Sequence, residues 1–82
     1  MKLNTELNTL EKTREKLNAK LETLEETIST REDFFADQTY KWHESQKGSE
    51  YEERTEELQD TLDQLQSVID HLDDAISQLE EM

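Results

Sequence analysis

Residues 51–82 read YEERTEELQDTLDQLQSVIDHLDDAISQLEEM, and this stretch decides the fold. Apolar residues recur in it at alternating steps of four and three, which is the heptad repeat of a coiled coil. Heptad position d holds Tyr51, Leu58, Leu65, Leu72 and Leu79, and position a holds Thr55, Leu62, Ile69 and Ile76. Val68, Ala75 and Met82 fall at position g and widen the stripe. The pattern predicts a helix over about 49–81 that can contact more than one other helix.

A second heptad stripe precedes this one. Position d holds Leu3, Leu10, Leu17 and Leu24, and position a holds Leu7, Arg14, Leu21 and Ile28. The same register continues through Arg31, Phe35, Gln38 and Trp42 and predicts a helix over about 3–46. Ser29 and Glu32 have the spacing of a capping box, so a helix restart near residue 30 stays open.

The segment 46–49 is predicted to be the turn between the helices. Gly48 suits the left-handed position that ends a helix, and Ser49 suits the N-cap of the next, with Glu52 as its reciprocal partner. A short connection makes the helices antiparallel. The predicted fold is therefore an all-α antiparallel helical hairpin, a coiled coil forming a single domain over 1–82.

A tight turn at 46–49 also predicts which residues face each other. The numbers of facing residues should add up to about 93, which places Leu24 opposite Ile69 and Leu17 opposite Ile76. Leu3, Leu7 and Leu10 would then overhang without cover, and exposed leucines favour a partner. Together with Val68 they are predicted dimer contacts in a homodimer or four-helix arrangement. A parallel dimer through 51–82 is the competing arrangement.

Two arginines occupy core positions of the first stripe. Arg14 is predicted to reach the acids near Glu80 and Glu81, and Arg31 to face Leu62, with their stems on leucine. Alternatively, the two arginines specify the register or the partner, as polar core residues can.

The composition excludes several classes of function. The 82 residues include 22 acidic and 9 basic ones, a formal net charge of −13, with no cysteine and no proline. This charge disfavours direct binding to nucleic acids or anionic membranes, and the lack of cysteine excludes disulfides and thiolate zinc sites. No apolar run has the length of a membrane span, and the start lacks a signal-peptide pattern. A cytoplasmic protein is expected.

Acidic side chains are concentrated after residue 50. They are predicted to form either a solvated coiled-coil surface or a binding face for a basic protein, such as the cleft of a nucleic-acid enzyme. The candidate residues of this binding face are Glu52, Glu53, Glu56, Glu57, Asp60, Asp63, Asp70, Asp73 and Asp74.

All five aromatic residues lie between residues 34 and 51. They predict either the packed tip of the hairpin or a contact patch, with Phe34, Tyr40 and Trp42 as candidate contact residues. No catalytic set, cofactor motif or metal site is predicted. Asp70, His71 and Asp74 have ligand spacing, but carboxylates are so frequent here that chance supplies such sets. We expect a non-enzymatic protein without cofactor.

The segment KWHESQKGSEY, residues 41–51, is followed by an acidic Leu/Ile heptad. Over roughly 34–80 the chain resembles a set of small phage proteins in which Lys-Trp-x-Glu-Ser-x-Lys-Gly precedes an acidic helix. The resemblance implies a phage or prophage origin and a location in the cytoplasm of an infected or lysogenic bacterial host. It implies no activity.

Two functions are therefore predicted. The first is an acidic inhibitor or decoy that occupies the basic cleft of a host defence or nucleic-acid enzyme. Such a decoy would act as a nucleic-acid mimic. The alternative is a structural coiled-coil module for oligomerisation or assembly. Salt distinguishes them, because a charge-based contact weakens as salt rises and an apolar helix contact does not.

Overall fold

The computed structural model describes residues 3–82. It contains α1 (Asn4–Ala36), the short α2 (Tyr40–Glu44) and α3 (Gln46–Glu81), and the described residues contain no strand. The two long helices pack against each other as an antiparallel rod of 64 × 15 × 13 Å. The predicted all-helical pairing of two long helices is confirmed. No helix within 3–82 has the length and apolarity needed to cross a membrane.

The core is the seam between the two heptad stripes. Ile28, Ile69, Ile76 and Thr55 are buried, whereas the leucines of the seam are half-buried. Two helices alone leave the flanks of a seam open to water, so burial is incomplete along the whole rod. Every a and d residue of α1 and α3 is nonetheless buried or half-buried, whereas nearly all other positions of the two helices are exposed, so the heptad register is kept throughout.

The first helix ends ten residues earlier than predicted. It stops at Ala36, where the backbone N–H of Asp37 donates to the Asp33 carbonyl. Thr39 then caps α2, because its side-chain oxygen accepts a hydrogen bond from the Trp42 N–H at 3.2 Å. The prediction of one unbroken helix over about 3–46 is therefore wrong. The restart near residue 30 does not occur either, since α1 passes through Ser29–Glu32 unbroken.

The predicted turn at 46–49 is also wrong, because these residues form the first turn of α3. The N-cap is Ser45, not Ser49: its Oγ accepts from the Gly48 N–H at 3.1 Å and donates to the Trp42 carbonyl at 2.5 Å. Gly48 has no positive φ. A Cβ there would collide with the Trp42 carbonyl oxygen, so close approach of α2 requires the glycine.

The seam is shifted by one heptad from the predicted register. The Arg31 Nε donates to Thr55 Oγ1 at 2.9 Å, and the Arg14 Nη1 to Asp73 Oδ1 at 3.0 Å. The numbers of these facing residues add up to 86 and 87 rather than about 93. The connection between the long helices comprises residues 37–45, so the chain reverses its direction earlier than the predicted turn at 46–49. A shift of seven residues preserves the a and d positions, which is why the heptad pattern is compatible with both registers.

The shift removes the predicted overhang at the beginning of α1. Leu3 and Leu7 line the same hollow as Leu79 and Met82, at the open end of the hairpin. Leu3, Leu7 and Leu10 are half-buried. Their expected role as dimer contacts rested on the overhang and loses that basis.

Candidate protein-interaction surfaces

The hairpin has two distinct sides, defined by the heptad positions that flank the seam. On one side, Gln59 Nε2 donates to Glu32 Oε2 at 3.2 Å, and both residues occupy position e. On the other side, the Phe34 ring lies 5.1 Å from the Tyr51 ring and borders a hollow with Lys47 and Arg54. Phe34, Lys47 and Arg54 all occupy position g. In this antiparallel pair, e and b residues of both helices therefore share one side, and g and c residues share the other.

We call the e and b side the acidic face. Glu and Asp of both helices contribute to it, and none of its positions holds lysine or arginine. Its eleven acidic residues are Glu11, Glu15, Glu22, Glu25 and Glu32 on α1 and Glu52, Glu56, Asp63, Asp70, Asp73 and Glu80 on α3.

The structure separates the acidic residues that the sequence grouped together. Five of the nine predicted residues lie on the acidic face, namely Glu52, Glu56, Asp63, Asp70 and Asp73. Three lie at position f, on a ridge of α3 that points away from α1; with Glu81 this outer ridge comprises Glu53, Asp60, Asp74 and Glu81. Glu57 lies on the opposite side and pairs with Arg54 at 3.4 Å.

Sequence reasoning missed the contribution of α1 to the acidic face. The five glutamates of α1 on this face are at the same heptad letters as those of α3. Reading both stripes with the rule that e positions of antiparallel partners lie on one side would have found them. The overall charge of residues 1–32 concealed them, because the lysines of α1 lie at other heptad positions.

The acidic face is little neutralised by the protein itself. Within residues 3–82, one of its carboxylates forms an ion pair, that of Asp73 with Arg14, at 3.0 Å. Arg14 lies in the seam and was predicted to reach Glu80 and Glu81; the one-heptad shift brings it to Asp73 instead. The other acids of the face, apart from half-buried Glu11, are exposed. Their field is therefore directed outward.

We call the g and c side the threonine face. It carries Thr9, Thr13, Lys16, Lys20, Thr23, Thr27, Thr30 and Phe34 on α1 and Arg54, Glu57, Thr61, Gln64, Val68, His71, Ala75 and Gln78 on α3, with Glu6, Lys47, Glu50 and Met82 at its ends. This side holds three acidic and four basic residues, so it is nearly neutral.

The aromatic residues form a packed tip. Trp42 contacts Phe34, Phe35 and Tyr51 with ring centroids 5.7–5.8 Å apart and edge-to-face geometry. Such pairs stabilise by about 0.5–1.5 kcal/mol beyond area burial. Trp42 is half-buried, Phe34 is 46% exposed and Tyr40 is 75% exposed. Of the predicted contact residues, Trp42 thus holds α2 against the long helices, and Tyr40 projects into solvent.

His43 joins the tip to the end of α1. Its ring stacks on Phe35 at 4.3 Å, and its Nε2 lies 2.6 Å from the Phe35 carbonyl oxygen. A carbonyl can only accept, so Nε2 carries the proton and donates. The Phe35 carbonyl also accepts from the Gln38 N–H at 3.2 Å, so the His43 bond gives one of the last carbonyls of α1 a second donor.

Arg31 connects the seam to the aromatic tip. Its guanidinium lies 3.9 Å from the Tyr51 ring centroid and donates to the Tyr51 carbonyl at 3.0 Å as well as to Thr55. It was predicted to face Leu62. The buried Thr55 is therefore the partner of a core arginine, which explains a threonine at a seam position.

The described residues contain no group of three or more side chains placed to hold a metal ion, including the set Asp70, His71 and Asp74. The acidic face and the threonine face are open sides of the rod. Comparison with known proteins finds no matching family model, no matching curated protein and no matching solved structure.

Proposed function

We propose that this protein binds a basic protein surface through its acidic face, and that it acts as an inhibitor or decoy in the basic cleft of a nucleic-acid enzyme. The observation that supports the proposal is the alignment of eleven carboxylates along one side of the rod without a lysine or arginine among them. Such a one-signed surface attracts basic partners over a distance and accelerates their association.

The charge density limits what the acidic face can imitate. Eleven carboxylates along 64 Å give one per about 6 Å, whereas phosphates along one DNA strand are about 3.4 Å apart. The face is therefore too sparse to reproduce a duplex. It suits a partner whose lysines and arginines are spread along a groove and form several separate ion pairs. Complexes of this kind lose affinity steeply as salt rises.

The resemblance of residues 41–51 to phage proteins bears on the choice of partner. It suggests that the enzyme belongs to a bacterial host and that the two proteins meet in its cytoplasm. A defence nuclease or another host nucleic-acid enzyme is the class of target to seek.

Two variants with equal charge changes test the proposal. E52Q/E56Q/D63N/D70N removes four charges from the acidic face, and E53Q/D60N/D74N/E81Q removes four from the outer ridge. All eight residues lie on exposed positions of α3. Tagged wild type and both variants are used to capture proteins from bacterial lysate at about 50 mM and about 500 mM salt, between which screening increases severalfold.

We expect the wild type and the ridge variant to retain a nucleic-acid enzyme at low salt only, and the face variant to lose it. The captured enzyme should then be inhibited by the wild type in a purified assay. Retention by the face variant, or equal loss by both variants, would contradict binding through the acidic face. Capture that is unchanged at high salt would favour the structural module instead.

Self-association is the second part of the proposal. The observation that favours it is the nearly neutral threonine face, which carries exposed apolar side chains beside a strongly acidic face. It supports the alternative function as well, in which the coiled coil serves oligomerisation or assembly.

A further inference from the structure

We propose that the threonine face is the surface through which two copies of this chain associate, side by side, with their acidic faces turned outward. The inference specifies the self-association proposed above and does not depend on the acidic partner. Four features of the structure support it: charge, exposed apolar groups, satisfied hydroxyls and area.

Charge determines which sides of two rods can meet. Two acidic faces repel each other, since each presents eleven carboxylates. The threonine face has three acidic and four basic residues. Contact through this side keeps the carboxylates of both copies in water and as far apart as the rods allow. A second copy, with the same charge of −13, is therefore accommodated on this side.

Of the four large apolar side chains that are exposed within residues 3–82, all except Tyr40 lie on this same side. Val68 is 51% exposed, Phe34 46% and Met82 80%, and they occupy the middle and the two ends of the threonine face. Phe34 borders a hollow with Trp42 and Tyr51. A contact along the whole side would remove the side chains of Val68, Phe34 and Met82 from water.

Most threonine hydroxyls of this side already donate a hydrogen bond within their own helix. The Oγ1 atoms of Thr9, Thr13, Thr23, Thr27 and Thr61 each donate to the carbonyl four residues earlier, at 2.8–3.1 Å. A hydroxyl whose proton is already donated can be covered without leaving an unsatisfied donor. The side is therefore less polar than its composition suggests.

The available area is sufficient for a specific interface. A side 64 Å long and 15 Å wide offers on the order of 900 Å² per copy, and a specific interface buries about 800 Å² per partner.

The order of residues along the face favours one arrangement. Lys20 and Val68 lie level at its middle, and Phe34 and Arg54 lie level near the tip. If the two tips lie at the same end, α1 of each copy faces α3 of the other. Lys20 then covers Val68 of the second copy with its apolar stem, and Arg54 meets Phe34. The reversed arrangement would oppose the two Lys20 side chains, which repel.

Mass in solution tests the face, with a matched control. V68K places a positive charge at the middle of the threonine face, against Lys20 of the second copy, and S77K adds the same charge at an exposed position on the acidic side. By light scattering or sedimentation equilibrium, the wild type and S77K should have twice the 9.8 kDa mass of the chain. V68K should remain helical by circular dichroism, and its dimer dissociation constant should rise by about 100-fold or more, because a charge would be buried against a like charge.

A monomeric wild type, or a V68K variant as dimeric as the wild type, would overturn the inference. V68K should still capture the acidic-face partner, so failure of dimerisation and failure of the proposed function are distinguishable. If V68K does not fold, disulfide formation between pairs of introduced cysteines provides the test. The chain lacks cysteine, so oxidised mixtures of K20C and V68C should form mixed disulfide dimers, whereas S77C should not. Efficient S77C dimers without K20C–V68C dimers would refute this face.

Discussion

At the residue scale, two small residues determine where the chain turns. Ser45 both caps α3 and donates to the last turn of α2, and Gly48 lets the two helices approach within backbone contact. Neither effect needs a left-handed residue, which is the usual reason for a glycine between helices. The serine and the glycine therefore define a close contact between α2 and α3 rather than a loop.

Substitution of Gly48 with alanine should lower stability. In an ordinary helix this change stabilises by about 1 kcal/mol. Here the new Cβ would collide with the carbonyl oxygens of Trp42 and His43, and overpacking of this kind costs about 1–3 kcal/mol. The measurement is urea unfolding followed by helical circular dichroism. A midpoint above that of the wild type would show that the contact can relax without cost.

Two serine variants distinguish the observed cap from the predicted one. Loss of an N-cap side chain typically costs about 1 kcal/mol, so S45A should lower the free energy of unfolding by this amount. S49A should leave it unchanged or raise it slightly, because Ser49 is exposed within the first turn of α3. The reverse order of the two effects would place the helix start at Ser49 and contradict the structure.

At the element scale, the connection between the long helices sets the register. Segment 37–45 contains α2 and its two caps, Thr39 and Ser45. It is held by the aromatic tip, in which Trp42 contacts three rings. Since α1 ends at Ala36, its length of 33 residues nearly equals the 36 residues of α3. The helices therefore cover each other along almost the whole rod.

Distances between spin labels can measure the register. With cysteines at Glu32 and Glu52, which line the same hollow, the labels should be close. With cysteines at Glu32 and Gln66 the labels should be much farther apart, since the stretch of helix from Glu52 to Gln66 rises by about 21 Å. Dilution with unlabelled protein restricts the signal to pairs within one chain. A shorter distance for Glu32 and Gln66 would restore the register of about 93.

At the scale of the whole molecule, the rod is two-sided. One side concentrates eleven acids, and the other is nearly neutral with exposed Val68 and Phe34. The separation gives each side a different task in our proposals: contact with a basic partner and contact with a second copy. It also stores electrostatic repulsion, because carboxylates of both helices are held along one face.

Salt should therefore stabilise the folded protein. At fixed protein concentration, the thermal midpoint should rise as NaCl increases from about 10 mM to about 500 mM, because repulsion at −13 is screened. The two variants that each lose four charges should have higher midpoints than the wild type at low salt and a smaller response. The measurement is thermal unfolding by circular dichroism. A midpoint that falls with salt would mean that ion pairs such as Arg14–Asp73 outweigh the repulsion.

Periodicity predicted that two long helices pair and which stripe each one buries, because each helix buries one stripe whatever lies opposite. It misplaced the turn for a specific reason. Gly48 and Ser49 form a strong local signal for a helix boundary, and Thr39 and Ser45 form weaker ones. The position of the turn depends on the aromatic contacts of Trp42 and on the close approach at Gly48, and both join residues of different helices. Local patterns do not report such contacts.

The sequence by itself determined that this protein is helical, that its stripes pair, and that it carries a net charge of −13. These properties follow from the spacing and type of residues along one chain. Only the tertiary structure decided the register, the partners of Arg14 and Arg31, and the division into an acidic and a threonine face. A heptad repeat is unchanged by a shift of seven residues, so the seam alone is compatible with more than one register. The contacts at the aromatic tip determine which register forms.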